Sequence, residues 1–243
     1  MTKLCVSLAA ICLLLGSCRG AEPADPAPAE PSSGEEAAAA EADDDPVLVV
    51  FLGDSLTAGY GLEAEQAHPA LIEERLRAEA RPVRVVNAGV SGDTTAGGLS
   101  RLDWLLRQRP DVLVVSLGGN DGLRGLQLSS SEDNLRRIVE RARAAGARVL
   151  LTGMKMPPNY GDYADDFAAM YPRLAGELGV PLVPFLLDGI ADRPDLFLAD
   201  GIHPTAEGQA VLAETVLPYL LPLVEAAAAS SEDGTALSRS PNP

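Results

Sequence analysis

The sequence predicts an α/β fold, a three-layer α/β/α sandwich with a central parallel sheet of about five strands. From Val47 onward, short apolar runs rich in β-branched residues alternate with longer stretches whose apolar residues recur at helical spacing. Such alternation implies parallel strands with helices on both faces of one sheet. At 243 residues of ordinary globular composition, the chain is long enough for one domain with a substantial core.

In chain order, strands are expected at 47–52, 83–86, 112–117, 148–152 and 181–185. Helices are expected at 70–79, 95–108, 132–145, 165–178 and 206–224. In the third helix Leu135, Ile138, Val139 and Ala142 mark one buried face, and Gly146 stops it. Pro218 and Pro222 should bend the last one. The folded domain is therefore placed at 47–224. The tail 225–243 is small, polar and rich in Ala and Ser, and is expected to be disordered.

The first residues read as an export signal, 1–17, in which Lys3 precedes an apolar run too short to span a bilayer. Its end, Leu15-Gly16-Ser17-Cys18, resembles the bacterial lipoprotein processing box, which makes Cys18 the expected lipidated N-terminus. Processing there would remove Cys5 and Cys12 and leave no free thiol, which excludes disulfides and a cysteine nucleophile. Residues 18–46 are acidic and rich in Ala and Pro, a tether that reaches roughly 80 Å at about 3 Å per residue. The implied location is the bacterial envelope, at the outer membrane, with membrane attachment through the lipid alone.

The formal net charge of −16 argues against nucleic acid as a partner, because a phosphate backbone needs a concentrated basic face. Much of that acidity lies in the tether, at Glu22, Asp25, Glu30, Glu35, Glu36, Glu41 and Asp43 to Asp45.

In an open parallel sheet ligands gather beyond the carboxyl ends of the strands. There the chain places Gly53-Asp54-Ser55-Leu56, Asn87-Ala88-Gly89 and Gly118-Gly119-Asn120-Asp121. Ser55 would open a helix, with its hydroxyl exposed and backbone donors nearby. A serine hydroxyl needs a base, and the chain holds only His68 and His203. In Asp200-Gly201-Ile202-His203-Pro204 a carboxylate precedes the imidazole by three residues, close enough to fix its tautomer. Backbone N–H groups of Ser55 and Gly89 and the Asn120 amide are the expected oxyanion donors.

These blocks and their order resemble the SGNH, or GDSL, hydrolases. The resemblance implies a flavodoxin-like sheet, with Ser55, Gly89, Asn120 and His203 as signature residues and Asp200 completing the triad. Ser91-Gly92-Asp93-Thr94, the run Gly119 to Gly125 and Pro158-Asn159-Tyr160-Gly161 resemble, more narrowly, the bacterial branch of acyl-CoA thioesterases, lysophospholipases and arylesterases. The expected substrate is a small acyl ester or thioester, lysophospholipid among them. Carbohydrate O-acetyl groups, or acyl-lipid binding without catalysis, are the rival readings.

Other residues receive quieter roles. His68, before Pro69, is expected at the surface or in packing, and Asp54, Asp93 and Asp121 beside turns and helix starts. Leu123, Leu126, Met154, Met156, Pro157 and Pro158 are the candidate walls of an apolar acyl site. The Gly-x-Ser-x-Gly elbow is missing, as are Gly-Lys-Ser/Thr after the first strand and an EF-hand spacing. The mechanism calls for no metal and no cofactor.

Overall fold

The computed structural model describes residues 46–238. The expected export signal 1–17, Cys18, the tether 18–46 apart from Pro46, and residues 239–243 lie outside the described residues.

Five parallel strands form one sheet in the order β2-β1-β3-β4-β5: β1 (Val47–Gly53), β2 (Val83–Gly89), β3 (Val112–Ser116), β4 (Arg148–Thr152) and β5 (Leu182–Val183). Every residue of β1 and β3 is buried, which explains why both read as continuous apolar runs instead of alternating ones. Helices α2 (His68–Ala78) and α7 (Ala206–Ser238) pack together on one face of the sheet; α3 (Thr95–Leu106), α5 (Leu128–Ala144) and α6 (Asp162–Leu178) cover the other. The predicted sandwich is thus observed, with Leu135, Ile138, Val139 and Ala142 fully buried as the α5 spacing required.

The strand order reverses direction between β1 and β3. Neighbouring parallel strands whose connections leave in opposite directions open a crevice at their carboxyl ends. The register sets Gly53 beside Gly89 on one side and Ser116 on the other, so the segments after β1, β2 and β3 share one edge.

Three features departed from the pattern. β5 is two residues long where five were expected, because Pro181 and Pro184 flank it and neither has an N–H for the ladder. Two short helices, α1 (Ser55–Ala58) and α4 (Gly119–Leu123), follow β1 and β3 directly and are too brief to carry a hydrophobic period. The third correction concerns the tail, expected to be disordered from Glu225: α7 instead runs on to Ser238. The Ala226 to Ala229 run is strongly helix-forming, Val224 and Ala227 are buried, and Arg148 donates to Ala226 O and Ser230 Oγ, both at 2.7 Å. By length and composition the part of α7 from Ala206 to Ser230 could cross a membrane. Leu212, Val216, Leu220 and Val224, spaced four apart, are buried in the core, while a third of the apolar stretch as a whole is buried.

Candidate active site

Ser55 is the first residue of α1. The Asp54 carboxylate caps that helix by accepting from Leu56 N at 3.0 Å, so the turn out of β1 is fixed by the residue before the serine. Helix α7 holds the other side of the turn: Gln209 Nε2 donates to Leu56 O at 3.0 Å, and its Oε1 accepts from His68 N and His68 Nδ1, both at 2.9 Å. An amide oxygen accepting both bonds requires the Nδ1–H tautomer of His68. Fully buried, edge-on to Phe51 at 5.6 Å, His68 has its pKa lowered to about 4 by burial. It belongs to the packing that supports Ser55.

His203 arrives from the loop before α7. Leu198 N donates to His203 O at 2.7 Å, Phe197 and Pro204 form a bridge, and Gly201 at φ 68° turns the chain between them. Asp200 Oδ1 accepts from the backbone N of Ile202 and His203 at 2.9 and 3.0 Å, which orients the carboxylate before the imidazole is considered. Asp200 Oδ2 then lies 2.7 Å from His203 Nδ1, and His203 Nε2 lies 2.9 Å from Ser55 Oγ. These hydrogen bonds hold the Asp200 pKa down at about 2, the backbone N–H of His203 contributing most. With Nδ1–H directed at an ionised carboxylate, Nε2 carries the lone pair and accepts from the serine hydroxyl. The three predicted side chains therefore meet in one relay.

Asn120 lies in the first turn of α4. Its Nδ2 donates to Asp54 Oδ2 at 3.4 Å, which leaves the second amide hydrogen for another acceptor. Asp54 is almost fully buried between α1 and α4, and burial lifts its pKa to about 6. Gly118, at φ 112°, faces the Tyr171 hydroxyl so closely that a Cβ there would lie 2.2 Å from it; only glycine allows β3 to turn into α4 at this point.

The expected donor at Gly89 is corrected by the geometry. Gly89 N already donates to Asn87 Oδ1 at 3.0 Å, while Asn87 Nδ2 donates to Thr57 O at 2.8 Å. What Gly89 supplies is space, since a Cβ would come within 2.3 Å of Ala58 N and push α1 away from the strand. Three residues on, Asp93 N donates to Val90 O at 3.0 Å and closes a turn with Gly92 at φ 81°, the position where a type II turn favours glycine. Among the described residues the Gly92 N–H has no hydrogen-bond acceptor. Arg124, at the end of α4, donates to Gly92 O at 3.0 Å and ties this turn to the helix that carries Asn120.

Asp93 and Asp121 stabilise the same edge. Arg101 of α3 donates to Asp93 Oδ2, Ala88 O and Gly53 O at 2.8, 2.6 and 2.9 Å, clamping the ends of β1 and β2. Asp121 accepts from Thr95 N, Thr95 Oγ1 and Ser131 Oγ, joining α3, α4 and α5. The roles expected for these carboxylates at turns and helix starts are therefore met, with Asp93 acting through a guanidinium.

The six candidate wall residues do not form one wall. Leu123, Leu126, Pro157 and Pro158 are exposed, whereas Met154 and Met156 are buried in the core. Met156 sits under Gly122 and Met154 near Gly119, so the thioethers fill the space below α4. Tyr160 and Tyr163 hydroxyls donate to Leu123 O and Leu126 O at 3.3 and 2.9 Å, bracing the loop that displays both leucines. The pattern gave no sign of Tyr60, whose ring centroid lies 4.3 Å from that of His203.

Residues 51–211 match the model of the GDSL-like lipase/acylhydrolase family. Over 178 residues the chain is 45% identical to the esterase TesA of Pseudomonas aeruginosa, an alignment covering 72% of this chain and 89% of that one. It is 44% identical over 178 residues to the thioesterase 1/protease 1/lysophospholipase L1 of Escherichia coli K12, covering 72% and 84%. A crystal structure of TesA superposes with a TM-score of 0.70 at 45% identity, over 72% of this chain and 99% of that one. With the family model spanning well over half the sequence and such identity along nearly all of these relatives, the chain belongs to the GDSL-like lipase/acylhydrolase family.

Proposed function

We propose that the chain is a serine esterase that hydrolyses carboxylic ester or thioester bonds through an acyl-enzyme on Ser55. The observation that carries this reading is the unbroken relay from Asp200 through His203 to Ser55, at 2.7 and 2.9 Å. In acylation Ser55 Oγ attacks the carbonyl carbon while its proton passes to His203 Nε2, and Asp200 stabilises the imidazolium. His203 gives that proton to the leaving oxygen or sulfur as the bond to the acyl group breaks. Water then loses a proton to His203 as its oxygen bonds to the acyl carbon; the bond from that carbon to Ser55 Oγ breaks, His203 returns the proton to Oγ, and the acid leaves.

The oxyanion is held by three donors: the Ser55 N–H, which as the first of a helix has no intrahelical acceptor, the Gly92 N–H and the free amide hydrogen of Asn120. Esterase, thioesterase, protease and lysophospholipase are the activities in the names of the relatives, and the first, second and fourth are the ester and thioester chemistry proposed here. The exposed Leu123 and Leu126 give an apolar acyl chain a surface to follow. A panel of phenyl esters of increasing acyl length, an acyl thioester, a lysophospholipid and an acetylated sugar tests this reading. Turnover of the phenyl esters and the thioester is expected; turnover of the sugar alone would replace the reading with a carbohydrate deacetylase, and turnover of none would remove it.

Attachment to the bacterial envelope through lipid at Cys18 is part of the same proposal, supported by the Leu15-Gly16-Ser17-Cys18 box. The mass of the mature N-terminal peptide is expected to carry acyl groups on Cys18; an unmodified peptide beginning elsewhere would exclude the anchor.

A further inference from the structure

The loop after α1 carries Tyr60, whose backbone N donates to Ser55 O at 3.1 Å. Its ring is inclined 34° to the His203 imidazole with centroids 4.3 Å apart, and the residue is 51% exposed. Ile202, next to His203 in the chain, is 48% exposed. Single exposed apolar side chains are ordinary on a protein surface and need no explanation. Tyr60, however, lies against the imidazole of the relay, so what its ring borders is the path of the transferred proton.

That position has a direction. In acylation the bond between Ser55 Oγ and the carbonyl carbon forms as the bond from that carbon to the leaving oxygen breaks, and His203 Nε2 moves the proton from the first oxygen to the second. One nitrogen must therefore reach both oxygens, which puts the leaving group on the imidazole side of Ser55. The carbonyl oxygen points the other way, to the start of α1 and to Asn120. Leu123 follows Asn120 by three residues in α4, the helix that carries that donor.

We infer that Tyr60 forms the leaving-group subsite and that its chemistry selects a flat apolar alcohol, an aryl group above all. A phenol ring half in water, already set at a tilt against the imidazole, offers an aryl leaving group an offset or edge-to-face partner at the point where its oxygen takes up the proton. This inference rests on the serine-esterase reading and adds to it which end of the ester the site reads.

Phenyl acetate and ethyl acetate separate the two ends, because both yield the same acetyl-enzyme. Rapid-mixing kinetics on wild type, Tyr60→Leu and Tyr60→Phe would give acylation from kcat/KM and deacylation from decay of the acetyl-enzyme, followed by intact mass. For Tyr60→Leu the expected result is a three- to tenfold lower kcat/KM on phenyl acetate, a change of less than about twofold on ethyl acetate, and an unaltered deacylation constant. Tyr60→Phe should keep the wild-type preference. Equal losses on both esters, or slower deacylation, would overturn the inference, since a prop for His203 must serve both half-reactions. If wild type hydrolyses neither ester, the esterase reading falls and the subsite with it; normal turnover with an aryl preference that Tyr60→Leu leaves unchanged removes the subsite alone.

Discussion

Ser55→Ala is expected to lower ester turnover by about 10⁴- to 10⁶-fold, with an unfolding free energy within about 0.5 kcal/mol of wild type. The two halves of this expectation have separate structural causes. The Ser55 hydroxyl bonds to His203 Nε2, and without it no oxygen lies in line for attack. The turn that carries Ser55 does not depend on that hydroxyl, because Asp54 caps α1 through Leu56 N and Gln209 holds Leu56 O. The backbone N–H of residue 55 survives the substitution, so the oxyanion donors persist and set the residual rate. His203→Ala should cost about as much, and the double variant little more than either, because groups of one relay fail together. Steady-state kinetics beside urea unfolding would check this; a Ser55→Ala protein retaining a tenth of wild-type turnover would remove the serine from the mechanism.

The parts of this architecture that were legible in the sequence are those whose cause is local. Residues 47–52 and 112–117 read as strands because a strand buried on both faces is apolar without interruption, and Asp200 announced its partner because a carboxylate three residues before an imidazole reaches it through a single turn. The two-histidine count made His203 the base almost by itself, and His68 at the head of a helix was rightly set aside. What escaped depends on groups far apart in the chain. Gly89 looked like a donor because it ends a strand, yet its N–H is taken by Asn87, a fact fixed by a side-chain rotamer. Its glycine identity reflects the backbone of α1 lying against it. Gly92 carried a signal in hindsight: Ser91-Gly92-Asp93 is a turn sequence, and a turn glycine leaves its N–H unpaired more readily than a strand glycine does. Met154 and Met156 share the short run 154–158 with Lys155 and two exposed prolines, and composition alone does not say which of its apolar residues face inward.

The clamp at the sheet edge follows the same logic. Arg101 lies in the middle of α3, where its sequence neighbours suggest only a helix surface. Its guanidinium nevertheless reaches the carbonyls that end β1 and β2, and Asp93 fixes it there. Gly97 makes the arrangement possible, because a Cβ at that position would lie 1.7 Å from Asp93 Oδ1. The turn that bears Gly92 and the turn that bears Ser55 are thus held by one planar cation, whose fork geometry a lysine could not reproduce.

Two buried groups beside this edge give stability a pH dependence that wild type conceals and single variants should expose. Asp54 has a folded pKa of about 6 against an ordinary 3.8, so between those values the folded protein holds a proton that the unfolded chain has lost. Its contribution is present below 3.8 and is lost as pH rises through about 6. His68 has a folded pKa of about 4 against an ordinary 6.5, so over nearly the same window the unfolded chain holds a proton that the folded protein excludes. Its contribution is present above 6.5 and is lost as pH falls through about 4. Each group alone imposes a slope of about 1.4 kcal/mol per pH unit, and the signs are opposite, so folding exchanges almost no net proton between these two sites. Asp54→Asn removes the first slope: relative to wild type it should lose roughly 2 kcal/mol of stability as pH falls from 6 to 4.5. His68→Gln removes the second and should gain a similar amount over the same descent. Choosing pH 4.5 as the lower limit leaves out Asp200, which titrates near 2. Urea unfolding at four or five pH values would measure both slopes; variant curves running parallel to wild type would show that neither group is held away from its ordinary ionisation.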